Sequence, residues 1–76
     1  MKKHSLQDRF LFLLKQEEIP VTIFLSSGHH LRGLVQDFDN YTVFIQTGDV
    51  EQLIYKHAIS SMVPGKHIDF MEEDDV

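Results

Sequence analysis

The hydrophobic pattern of this chain changes period at Pro20, and no other feature restricts its fold as strongly. Before Pro20, apolar residues recur every three to four positions: Leu6, Phe10, Leu13 and Leu14, with Leu11 and Phe12 widening the stripe. That is the spacing of one helical face. After Pro20, Val21, Ile23 and Leu25 alternate with Thr22, Phe24 and Ser26. That is the two-residue repeat of a strand with one face buried. A proline disfavours helical angles at the residue before it. The pattern therefore predicts one helix over about 6–17 and a sheet from 21 onward. Ser5 is placed to cap the helix, and Asp8 complements its positive end.

The rest of the chain repeats the strand pattern between turn signals. Ser27-Gly28, Asp39-Asn40, Gly48-Asp49 and Pro64-Gly65 punctuate it. Strands are expected over about 30–38, 41–47, 52–55 and 58–63, with a bend or bulge at Gly33. Val43 and Ile45 should share one face, and Thr42, Phe44 and Gln46 the other. One helix followed by five short strands implies a mainly β domain, a strongly bent antiparallel sheet or partly open barrel. Strand count does not separate SH3-like, OB-like and Sm-like versions. The expected organisation is a flexible N-terminus (1–5), a folded domain (6–66) and an acidic tail (67–76).

At 76 residues there is room for one small domain. Such a domain buries a modest share of its surface, so oligomerisation is the expected source of further stability. The absence of cysteine excludes disulfides, thiolate-bound zinc and a thiol nucleophile. No apolar run is long enough to span a membrane, and no export signal follows the basic start. The expected compartment is the cytoplasm, with no membrane partner. Seven Lys+Arg against twelve Asp+Glu give a net charge of -5. Five of those acids lie in residues 69–76, which leaves residues 1–68 balanced at seven against seven. Total charge therefore does not rule out a nucleic-acid partner.

Three short segments concentrate chemistry. Tyr55-Lys56-His57-Ala58-Ile59-Ser60 sets an aromatic, a cation and an imidazole at a strand junction. There they could meet a phosphate, a ribose or a base edge. Phe38-Asp39-Asn40-Tyr41 offers an amide reader and a stacking face, or simply turn chemistry. Ser27-Gly28-His29-His30-Leu31-Arg32-Gly33 holds adjacent histidines. On a strand these point to opposite faces, so no metal site is expected. Asp37 and Asp39 could share a face, but there is no nucleophile elbow, P-loop or dinucleotide motif. No catalytic residue, enzyme activity or cofactor is expected.

These segments together resemble bacterial Hfq, the Sm-like RNA chaperone family. Tyr55-Lys56-His57-Ala58-Ile59-Ser60 is similar to its second Sm motif. Val21-Thr22-Ile23-Phe24-Leu25, Gly28 and Leu31-Arg32-Gly33 resemble the first. Gln7-Asp8 with Phe10-Leu11 resembles the helix start, and Phe38 to Val43 and Gln52-Leu53-Ile54 fall between in the family's order. The likeness runs from about Gln7 to Pro64.

The resemblance implies an Sm-like fold assembled as a homohexameric ring, with edge strands four and five of neighbours paired. It implies RNA partners, small regulatory RNAs and messenger RNAs, and post-transcriptional regulation. On the proximal face it assigns U-rich RNA to Gln7, Asp8, Asn40, Tyr41, Lys56 and His57. On the distal face it assigns A-rich RNA to Phe24, Gly28, His29, His30, Leu31, Arg32, Gln52 and Ser61, with Phe24 and Leu31 sandwiching a base. His29 and His30 depart from the apolar and the long polar or cationic residue expected there. At the rim the matching stretch is Lys15-Gln16-Glu17-Glu18, where strong annealers carry an arginine cluster. Rim contact with RNA should therefore be weak, and the acidic tail should add repulsion.

Overall fold

The computed structural model describes residues 5–68. The expected frayed residues 1–4 and most of the acidic tail lie outside them. Helix α1 spans Leu6–Gln16, and its first turn is closed by Ser5, whose Oγ accepts the Asp8 backbone N–H at 3.0 Å. The buried stripe of α1 is Leu11 and Leu14, with Phe10 packed against the core and Leu6 and Phe12 largely exposed. Of the expected Leu6-Phe10-Leu13-Leu14 face, Leu14 is buried and Phe10 packs on the core, while Leu6 is exposed and Leu11, expected only to widen the face, is fully buried. In so apolar a helix more than one face satisfies the 3.6 repeat.

The helix ends before Pro20 acts. Glu18 adopts φ 54°, and the N–H groups of Glu18 and Ile19 donate to the carbonyls of Lys15 (3.4 Å) and Leu14 (3.0 Å). These are the paired bonds of a left-handed helix terminus. Ile19 then turns inward to join the core beside Leu14. A side chain at positive φ costs about 1 kcal/mol that glycine avoids. Glu18→Gly is accordingly expected to raise the thermal midpoint by a few degrees in a melting experiment.

Five strands follow: β1 (Val21–Leu25), β2 (His30–Phe38), β3 (Thr42–Thr47), β4 (Val50–Tyr55) and β5 (Ile59–Pro64). A single 3₁₀ turn, Lys56–Ala58, separates the last two. All pairings are antiparallel, in the order β4-β3-β2-β1-β5. The alternation places Val21 and Ile23, Val43 and Ile45, Val35 and Ile54 in the core with Leu11, Leu14 and Ile19. β4 begins two residues earlier than expected, because Thr47 pairs with Val50 across a two-residue loop led by Gly48 at φ 62°.

β2 bends to serve two partners. Up to Gly33 it pairs with β1, and from Leu34 with β3. Gly33 marks the bend, where a Cβ would strike the Gln46 carbonyl. The bulge is elsewhere: between Val35 and Asp37 the register slips, leaving Gln36 as the extra residue. The sheet ends, β4 and β5, carry Val50, Leu53, Tyr55 and Val63 as exposed apolar residues. Among the described residues no helix is long and apolar enough to cross a membrane.

Candidate nucleic-acid interface

The Asp39–Thr42 turn builds the first half of the site. Asp39 Oδ1 accepts the backbone N–H of Tyr41 (2.9 Å), the backbone N–H of Thr42 (2.8 Å) and the Thr42 hydroxyl (2.8 Å). The donors, that of Tyr41 foremost and then those of Thr42, hold the Asp39 carboxyl below its ordinary value of 3.8. Asp39 is thus turn chemistry, as its sequence neighbourhood allowed. Its effect is to present Tyr41, a residue 75% exposed.

The 3₁₀ turn supplies the second half. The Lys56 backbone N–H donates to the Tyr41 carbonyl at 2.7 Å, tying the two segments together. The Lys56 side chain is only 14% exposed; its Nζ lies 3.6 Å from Asp8 Oδ1 and 5.6 Å from the centre of the Phe38 ring. The His57 ring stacks near Tyr55, centroids 5.8 Å apart and planes at 22°. Gln7, Asp8, Asn40, Tyr41, Lys56 and His57, the whole predicted proximal set, line one open cleft of about 530 Å³. Ser5, read from sequence only as a cap, lines it too.

A second hollow of about 520 Å³ lies between α1 and β2 and shares Asp8 and Asn40 with the cleft. Phe12, Leu13 and Phe38 give it an apolar floor, and Gln16 of the predicted rim lines it. Phe12 was not singled out in the sequence, because an exposed aromatic within an apolar helix carries no separate signal. The other rim residue, Lys15, instead reaches Asp37 Oδ1 at 3.3 Å.

The predicted distal residues are only partly gathered. Phe24 pairs with His30 on β2 and with Ser61 on β5, and the Phe24 and His30 rings lie 5.4 Å apart at 34°. Arg32 follows His30 on that face and donates from Nη1 to Thr22 Oγ1 at 3.4 Å. Gly28, at φ 101°, turns the chain into β2, and His29 sits against Ser27 with Nδ1 and Oγ 3.2 Å apart. Leu31 pairs with buried Ile23 and packs against the core. It is on the other side of the sheet from Phe24, so one chain forms no Phe24–Leu31 sandwich. Gln52 lies on β4, with β3 and β2 between it and β1. Among the described residues no group of three His, Asp or Glu could hold a metal ion.

Residues 6–69 match the Hfq protein family. The chain belongs to that family. An RNA-binding protein Hfq from Shouchella clausii is 49% identical over 72 residues, covering 95% of this chain and 94% of the relative. Another, from Caldicellulosiruptor bescii, is 50% identical over 70 residues, covering 91% and 76%. A solved structure described as the pleiotropic translational regulator Hfq superimposes with a TM-score of 0.76 at 34% identity, covering 78% of this chain and 98% of the other. An Hfq protein from Anabaena gives 0.71 at the same identity, covering 79% and 98%. The five-stranded bent sheet with its N-terminal helix is therefore the Sm-like fold of Hfq proteins.

The turn that presents Tyr41 to the cleft gives one pH prediction. The folded Asp39 carboxyl is depressed, so its stabilising contribution is present above the unfolded value and lost as pH falls through the folded one. Acidification should release the Tyr41 and Thr42 amides together. Their backbone amide resonances are expected to shift with a common midpoint below 3.8. A midpoint at or above that value would contradict the hydrogen-bond assignment.

Proposed function

We propose that this chain is a single-stranded RNA-binding chaperone, acting as a homohexameric ring in the cytoplasm. It would bring small regulatory RNAs to messenger RNAs for post-transcriptional regulation. The observation that carries the reading is the cleft in which Gln7, Asp8, Asn40, Tyr41, Lys56 and His57 converge from three chain segments. A U-rich strand stacks a base on Tyr41, a contact typically worth ~1–3 kcal/mol. The Asn40 and Gln7 amides read its edge, and Lys56 and His57 take its base, ribose or phosphate. Lys56 is pre-positioned by Asp8 and the Phe38 ring, so little side-chain freedom remains to be lost on binding.

The ring reading draws support from the two sheet edges. Among the described residues β4 and β5 form the two ends of the sheet, each with one edge facing no further strand, and both expose apolar side chains. Pairing β4 of one copy with β5 of the next satisfies both and closes the sheet around a ring. The same pairing completes the distal face. It sets Gln52 of one copy two strands from Phe24 of the next, with only β5 between them, on the face that carries His30, Arg32 and Ser61. There A-rich RNA would stack on Phe24 while the Gln52 amide reads adenine. Gly28 turns the backbone into this face, and Leu31 supports it from the core side. The rim, with Lys15 paired to Asp37 and Gln16 in the apolar hollow, contributes little to annealing.

Equilibrium binding of oligo-U and oligo-A at fixed moderate salt tests the reading. Submicromolar binding of both is expected. Micromolar or weaker binding of both would instead favour a ring that serves protein interactions.

A further inference from the structure

We propose that Asp37 sets how strongly the rim of this protein takes RNA, by holding Lys15 in an intramolecular ion pair and so withholding it from phosphate. The proposal rests on the RNA-binding reading above and adds to it a residue that determines where the strand is held.

Lys15 is the one cation of the stretch 15–18, where Glu17 and Glu18 are acids. It sits in the last turn of α1, and its Nζ meets Asp37 Oδ1 at 3.3 Å from a residue 22 positions away. The bulge in β2 makes that meeting possible. With Gln36 as the extra residue, Asp37 pairs with Phe44; without it, Asp37 would fall opposite Val43, on the buried face. Bulges re-aim side chains in this way. The same Oδ1 also accepts the Phe38 backbone N–H at 2.9 Å. The carboxylate is therefore anchored to the sheet whether or not the lysine stays.

The magnitudes favour competition over locking. The two side chains are 44% and 72% exposed, and pairs that open to water are weak. A passing strand can take Lys15, but it must then lie against the anchored Asp37 charge. Loss of the partner and repulsion act in the same direction. The supporting charge pattern is local: Phe38's N–H and then Lys15 hold the Asp37 carboxyl below its ordinary value of 3.8.

The test uses the full chain and its Asp37→Ser, Lys15→Ala and doubly substituted variants. The probes are a short U-rich strand confined to the cleft and a longer one that runs past the rim. Asp37→Ser is expected to tighten the longer strand roughly two- to fivefold, the span of a weak exposed pair. Its salt dependence should steepen by about 0.7 for each additional phosphate neutralised. The short strand should bind as before. Adding Lys15→Ala to Asp37→Ser should remove the extra slope. No change in Asp37→Ser, or a tightening that survives without Lys15, would overturn the proposal. A second readout needs no RNA: Lys15→Ala should raise the Asp37 carboxyl midpoint towards 3.8 in a carbon-detected NMR titration. An unmoved midpoint would show that the pair does not form in solution, and the proposal would fail. If the parent chain fails to bind even the short strand, the RNA-binding reading falls and takes this proposal with it. The titration tells that failure from the loss of the ion pair.

Discussion

Tyr41→Ala is expected to weaken U-rich binding roughly five- to hundredfold, the equivalent of ~1–3 kcal/mol for one stacked base. The effect should be confined to that strand. Tyr41 is 75% exposed and its backbone is held by Asp39 and by the Lys56 N–H, so removing the ring takes away a stacking plane and leaves the turn intact. Binding of A-rich RNA, which the reading assigns to Phe24 and its neighbours, should change little. Tyr41→Phe keeps the ring face and should retain most of the affinity. Fluorescence anisotropy with the two strands separates the outcomes, and an equal loss on both would contradict the face assignment.

Gly33→Ala is expected to lower stability by about 1–3 kcal/mol, the usual cost of forcing extra volume into a closely packed site. Here the added methyl group would meet the Gln46 carbonyl oxygen and, at 2.8 Å, Thr47 Oγ1. Backbone cannot rotate out of the way, so β2 and β3 must part at the point where β2 changes partner. For a domain of this size that corresponds to a fall in melting temperature of roughly 5–20 °C. Gly48 provides the contrast. It has open space around its Cβ position and a φ of 62°, which asparagine tolerates. Gly48→Asn should melt within a few degrees of the parent at equal protein concentration. Equal losses at the two glycines would contradict the steric account.

The periodic parts of the sequence carried most of the fold. The change of repeat at Pro20 placed α1 and β1, and the alternation of Val43 and Ile45 placed β3 with its buried face correctly oriented. Features that depend on distant partners were not legible. Glu18 ends the helix at positive φ although glutamate has no preference for it; the neighbouring core position of Ile19 imposes it. The bulge at Gln36 has no local signature, because only the β3 register reveals it. Without that bulge the Lys15–Asp37 pair, 22 residues apart, could not be foreseen.

The candidate site divides in the same way. The proposed proximal set rests on ordered motifs, and one chain gathers all six of its residues into one cleft. The proposed distal set rests on the same motifs, yet one chain leaves Gln52 three strands from Phe24 and turns Leu31 into the core. Only the proposed pairing of β4 with β5 between copies would bring those residues together.

Native mass spectrometry of the full chain with one U-rich and one A-rich strand of different mass tests the central claim most directly. The account predicts a six-copy assembly carrying both strands at once, with neither displaced by an excess of the other. A single-chain species, or one strand driving the other off, would contradict it.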